Sequence, residues 1–262
     1  MSDIKKTLLD IVNHILNQHP ELAPQVEKIS AYIQGKGYGA ATVEHECEMV
    51  KQLLSVEPKV VVDIGGNVGN YAAEIRRKYL LAEIHVFEPS AINVKQLSER
   101  FISDNRVKIV PYAVSDETGS GVLFSNDAGS VLGSLTQRKL DHFNISFNVK
   151  ENVNTLRFEE YWEKNLPGRY LDIVKIDVEG HELSVLKGFG NAIRFSRVIQ
   201  FEFGGTNIDT RTFFQDFWYF FKEQKFDLFR ISPVGLQQMI GYDESDENFL
   251  IANYIAVNKN LL

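Results

Sequence analysis

The sequence predicts an α/β fold: a doubly wound, Rossmann-like and mostly parallel sheet with an antiparallel edge strand and a helical N-terminal extension. Three observations carry this. Short, continuously apolar runs recur from Lys59 onward, as strands buried on both faces require. Helix-length amphipathic stretches lie between most of them, the rhythm of βαβ units. The last two runs, FDLFRIS (Phe226–Ser232) and NFLIANYIAVN (Asn248–Asn258), are instead joined by polar loop, which reads as a terminal hairpin.

Composition agrees with such a fold. The chain has 262 residues, 44% hydrophobic and 24% charged, enough to bury a large core without a disulfide or metal staple. Its net charge of −7 argues against a general nucleic-acid binder, which carries a net basic face. Cys47 is the only cysteine, so intramolecular disulfides and cysteine-based zinc sites are excluded and a reducing, cytoplasmic setting is expected. No apolar run approaches the roughly 18 residues of a membrane span.

Along the chain, residues 1–55 read as a helical N-terminal cap. Ile4, Leu8, Ile11, Val12, Ile15 and Leu16 form one apolar face, Pro20 ends that helix, a second runs from about Leu22 to Gln34, and a third from about Glu44 to Leu54. A lid or dimerisation arm is the alternative reading. Residues 56–262 form the main domain. Its strands are expected at KVVVDIGG, EIHVFEP (Glu83–Pro89), VKIVPYAVSD (Val107–Asp116), LDIVKIDVEG (Leu171–Gly180) and RVIQFEF (Arg197–Phe203). About fifty residues separate the third from the fourth. An insertion this long is often functional, so residues 117–170 are expected to recognise substrate.

The strongest motif is VVVDIGGNVGNY (Val60–Tyr71), a strand running into spaced glycines that let a backbone approach a ligand. It is not the dinucleotide fingerprint GxGxxG. A carboxylate, Asp63, stands before the glycines, where it would repel a pyrophosphate and suit an ammonium. Glu88 closes the next strand, where a carboxylate can accept from both hydroxyls of a ribose. AVSD (Ala113–Asp116) offers apolar atoms to sandwich a purine and an acceptor for its amino group.

Together VVDIGGNVGNY, HVFEPS, VPYAVSD and DIVKIDVEGHELSVLKG resemble the FkbM-type S-adenosylmethionine-dependent methyltransferases, over about Glu44 to Phe203. The resemblance implies the class I methyltransferase fold, a seven-stranded sheet with a reversed last strand. It also implies methyl transfer to a hydroxyl, usually of a sugar, glycan or natural product. On it, Asp63 and the backbone at Gly65 and Gly69 would hold the methionine moiety, Glu88 the ribose, and Val114 with Asp116 the adenine, with Asn67 also binding the cofactor.

The acceptor must be aligned and its proton removed. The candidates are Asp177, Glu179 and His181 in IDVEGHE, with Lys175 placed to anchor Asp177. Either His181 takes the proton, or a divalent cation such as Mg2+, held by Asp177 and Glu202, acidifies the hydroxyl. The aromatic run Thr212–Phe226 reads as core. In the loop Gly204–Arg211, Asn207 or Arg211 would border the pocket mouth. The leading expectation is an O-methyltransferase of a small-molecule or glycan hydroxyl, with a homo-oligomer as a possible assembly. A methyltransferase of nucleic acid or protein and a non-catalytic S-adenosylmethionine-binding subunit are the alternatives.

Overall fold

The computed structural model describes residues 2–39 and 42–261. The N-terminal segment holds α1 (Ser2–Gln18), α2 (Ala23–Ile33) and α3 (Val43–Leu53). The first half of the sheet follows as β1 (Val60–Ile64), α4 (Asn70–Lys78), β2 (Glu83–Phe87), α5 (Ala91–Arg100) and β3 (Val107–Val110). Next come β4 (Ala113–Ser115), β5 (Gly119–Ser125), β6 (Val149–Arg157) and α6 (Phe158–Asn165). The second half runs β7 (Leu171–Ile176), α7 (Glu182–Gly188), β8 (Ser196–Phe203), α8 (Thr206–Thr210) and α9 (Phe214–Glu223). It ends with β9 (Phe226–Ser232), β10 (Gly235–Met239) and β11 (Ala252–Asn258).

The main sheet has the order β10-β9-β11-β8-β7-β1-β2-β3. Strands β3, β2, β1, β7 and β8 are parallel, and β11 is antiparallel to both β8 and β9. This is the class I arrangement of seven strands, extended to eight by β10. Alternation along each buried strand feeds two cores. Val60, Val62 and Ile64 pack with Phe158, Leu186 and Phe217 on one face; Val61 packs with Val50, Tyr71 and Ile75 on the other. Among the described residues no helix is long and apolar enough to cross a membrane.

Several elements differ from the sequence expectation. The reversed strand β11 is not the edge: it is inserted between β8 and β9, and the antiparallel edge is β10, which hairpins onto β9. The third apolar run breaks in two because Pro111 has no amide to offer a ladder. Tyr112 N turns back onto Val110 O at 2.8 Å, and β4 leaves the main sheet to pair with β6. The long insertion builds this second sheet, β4-β6-β5. At the N-terminus, α3 buries Glu46, Cys47, Met49 and Val50 against the domain. The segment from Ile4 to Gln34, expected as a packed cap, is exposed at every residue but Leu16 and Ala31, which are half-buried.

Candidate active site

The chain passes from β1 to one side of the sheet and from β7 to the other, which opens a crevice at their carboxyl ends. The loop Gly65–Gly69 lies in that crevice. Gly65 N and Gly66 N donate to Phe87 O at 2.9 and 3.0 Å, and Asp177 N donates to Ile64 O at 3.0 Å, so the ends of β1, β2 and β7 are tied together. Gly65 has φ +81°, and a Cβ there would stand 1.8 Å from Asp177 O. Its glycine is required by this close approach of two strand ends. Gly69 (φ +83°) packs against Leu97 and Phe101 and does not line the crevice. Its left-handed backbone starts α4.

A cavity of about 280 Å3 runs from this loop past Glu88, Ala113 and Val114, with Asp177, Glu179 and His181 on its wall. Glu88 is buried, and its two oxygens accept from Asn67 N and Ser90 N, both at 2.9 Å. Asn93 Nδ2 also donates to Oε1, at 3.4 Å; burial raises the Glu88 pKa while these donors oppose the rise, and Oε2 keeps a lone pair for a ligand hydroxyl. Ser90 Oγ and Asn93 Oδ1 on the same wall have no hydrogen-bond partner among the described residues. Neither does Asp63 Oδ2, in an adjoining pocket shared with Gly65, Asn67, Lys175, Asp177 and Glu179. Buried polar atoms without partners are costly, and these three would be satisfied by a ligand with hydroxyls at one end and an ammonium at the other. The residues therefore fit a nucleoside carrying an amino-acid tail. Asp116 is exposed and lies outside the cavity lining, so of the two adenine residues expected only Val114 faces it.

The insertion roofs this cavity. Leu123, Ser125, Gly129, Val131 and Leu135 line it, and Gly129 (φ +72°) sits so close to α5 that a Cβ would meet Asn93 Oδ1 at 2.9 Å. Ser134 Oγ donates to Glu179 O at 2.8 Å, and Arg138 Nη1 to Glu179 Oε2 at 2.6 Å. The segment read as a substrate region thus closes over the Glu88 end of the cavity.

The electrostatic centre is Lys175. It is buried, its Nζ lies 2.8 Å from Asp177 Oδ2 and 3.9 Å from Glu46 Oε2, and it stands beside Asp63 on β1 and Gln200 on β8 in the sheet register. Burial pulls its ammonium down, but Asp177, Glu46 and Glu202 outweigh that and hold it above the ordinary lysine range. Asp63 is pushed up to about 7, by burial against the pull of Lys175. Carboxylate oxygens of Asp177, Glu179 and Glu202 lie within 4.8 Å of one another. Burial and then the Asp177 charge push Glu179 up to about 8, and Glu202 rises well above the ordinary glutamate value for the same two reasons plus Glu179 itself. Oxygen donors in such a group suit a hard cation. Here, however, the Lys175 ammonium already holds Asp177, and the like charges are relieved by protonation.

His181 stands at the start of α7 with Nε2 2.9 Å from Ser115 Oγ. Burial lowers its pKa and Asp116 only partly restores it, and the Ser115 contact sets the ring at the end of the cavity that Val114 lines. Glu182 folds back to accept from Val178 N and Gly180 N at 3.1 and 3.0 Å, fixing the turn that carries Glu179 at φ +54°. Asn207 is fully buried and holds Gly204 N at 2.9 Å; it braces its own loop. Sequence reasoning missed Ser90, Asn93, Glu46 and Arg138. The first two follow Glu88 at a helix start, a readable signal. Glu46 lies between Glu44 and Glu48 on α3, and Arg138 lies 41 residues from its partner, so neither left a local trace.

A family model described as the methyltransferase FkbM domain matches residues 63–228. The chain belongs to the FkbM methyltransferase family. The chain is 29% identical over 154 residues to the hexuronic acid methyltransferase AglP of Haloferax volcanii, covering 57% of this chain and 58% of that protein. It is 30% identical over 153 residues to the methyltransferase sdnD of Sordaria araneosa, covering 49% and 59%. The chain therefore spans under three fifths of the length of these two relatives. The FkbM methyltransferase structure from Methylobacillus flagellatus KT aligns with 78% of this chain and 45% of its own, at 15% identity and a TM-score of 0.46.

Proposed function

We propose that the chain is an S-adenosylmethionine-dependent O-methyltransferase acting on a hydroxyl of a sugar, glycan or related natural product. The observation that carries this is Glu179. A carboxylate with its pKa near 8 stands at the junction of the two pockets, beside Asp177 and Glu202. The cofactor would bring a methyl group activated on a sulfonium. Glu88, held by the Asn67 amide, would bind its ribose, Val114 its adenine, and Asp63 its ammonium.

Glu179 then serves as the base for the acceptor hydroxyl. A general base works best with a pKa near the operating pH, and an ordinary glutamate, at about 4.3, is too weak. Arg138, 2.6 Å from Glu179, orients the carboxylate and stabilises its ionised form. Lys175 holds Asp177 in place and fills the position a Mg2+ ion would contest, so the reading requires no metal. His181 supports the purine end rather than the proton transfer. The carboxyl groups of Asp177, Glu179 and Glu202 offer hydrogen-bond partners to the hydroxyls of a polyol. The curated relative named for hexuronic acid supports a sugar acceptor.

Calorimetric titration with S-adenosylhomocysteine, followed by transfer of labelled methyl to uronic-acid and neutral glycosides with and without EDTA, tests the reading. Micromolar binding and EDTA-resistant transfer to a hydroxyl are expected. Failure to bind S-adenosylhomocysteine overturns the cofactor assignment, and transfer only to nucleic acid, protein or carboxyl groups overturns the acceptor.

A further inference from the structure

The N-terminal arm is the largest feature that the catalytic reading leaves unused. Ile4, Leu8, Ile11 and Ile15 recur at alternating intervals of four and three residues, and Leu22, at the N-cap of α2, with Val26, Ile29 and Ile33 in it repeats the pattern. That alternation is the seam of a helix that packs along another helix. All eight are between 39% and 69% exposed, so among the described residues nothing covers the seam. A 17-residue helix is barely stable in water without such packing.

The exposed area matches one partner. The chain presents 13,646 Å2 to solvent, about 2,000 Å2 more than the roughly 11,700 Å2 expected of a compact monomer of its 29.9 kDa. A standard protein interface takes about 800 Å2 from each side, and obligate homodimers take more. The arm's charges are nearly balanced: Asp3, Asp10, Glu21 and Glu27 stand against Lys5, Lys6 and Lys28. A balanced arm has no pull toward an anionic membrane, whose surface helices are rich in Lys and Arg, and no charge that forbids self-pairing. The arm is also firmly rooted. Arg230 Nε donates to Gln34 O at 2.7 Å, Gln237 Nε2 to Ile33 O at 3.2 Å, and Lys36 Nζ to Ser245 O at 2.7 Å.

We propose that α1 and α2 form a homodimerisation arm, the seam of one chain packing into the same seam of a second copy. The interface is isologous. It buries the apolar faces of both arms in a four-helix contact beside the β9–β10 edge, without using any residue of the cavity.

Sedimentation equilibrium of the full chain tests this. The wild type is expected at about 60 kDa through the micromolar range, and the Leu8→Glu, Ile15→Glu double variant at about 30 kDa with unchanged thermal unfolding of the core. A wild-type monomer at all concentrations, or a double variant that stays dimeric, overturns the proposal. Should the double variant aggregate, spin-labelled Asn13→Cys supplies a second reading, because Cys47 is buried at 1% exposure and escapes labelling. Dipolar coupling between two chains is expected, and its absence overturns the dimer. A wild type that is monomeric alone but sediments with phosphatidylglycerol vesicles overturns it in favour of a membrane surface.

Discussion

Glu179 and its neighbours make proton uptake part of the fold's stability. Asp63 near 7, Glu182 near 7 and Glu179 near 8 all titrate above their unfolded values. Between about pH 4.5 and 8 the folded chain therefore holds more protons than the unfolded one, and stability falls as pH rises through that window. Glu83 has the opposite sign: Lys108 and Arg169 outweigh its burial and hold it down at about 2, a contribution present above its unfolded pKa and lost in acid. Thermal unfolding across pH 5 to 9 should show a falling melting temperature, and Glu179→Gln should flatten that fall. The same variant should cut kcat by about 10²–10⁴-fold and remove a rise of activity through about pH 8, while binding of S-adenosylhomocysteine is retained. Lys175→Met should cost about 3–5 kcal/mol in denaturant unfolding, because Asp177 and Glu46 lose the cation they share. A loss below 1 kcal/mol would show that the carboxylates are neutral without it.

Among the elements, those defined by local pattern were legible and those defined by distant partners were not. The glycine loop after β1, Glu88 after β2 and the acidic turn after β7 stand where apolar runs end, so their place at the crevice follows from sequence. Alternation could not show that β11 enters between β8 and β9, because a strand reads the same in either place. Pro111 was visible, but it was read inside a continuous strand, and the departure of β4 into a second sheet was lost with it. Two substitutions test the loops at this scale. Gly65→Ala should destabilise by roughly 3 kcal/mol or more, since both its φ and the Asp177 carbonyl exclude a Cβ. Gly129→Ala instead strains only the roof, where the neighbour is the side chain of Asn93. It should weaken S-adenosylhomocysteine binding about tenfold in calorimetry and lower the melting temperature less than Gly65→Ala does, its φ of +72° still costing roughly 1 kcal/mol.

Across the whole molecule, the two faces of the sheet divide the labour. One face is packed with aromatic rings: Phe201 stacks on Phe217 and Tyr254 at 5.2 and 5.5 Å, and Phe203 meets Phe214 at 5.4 Å. This explains why the aromatic run in α9 is core. The other face carries the polar row of Asp63, Lys175 and Gln200, capped by Glu46, whose Oε2 accepts from Gln200 Nε2 at 2.5 Å. Nothing in the spacing of α3 distinguished Glu46 from a solvated glutamate, because the row that buries it is assembled from three strands far apart in sequence.

The position of β11 bears on how the protein is made. Its residues reach β8 on one side and β9 on the other, yet they are translated after both. Until they leave the ribosome, β9 and β10 have no hydrogen-bonded route to the parallel strands, and the edges of β8 and β9 stay open. The parallel half, with every residue of the crevice, can assemble earlier. A nascent chain at that stage is a natural client for chaperones that shield unpaired strands.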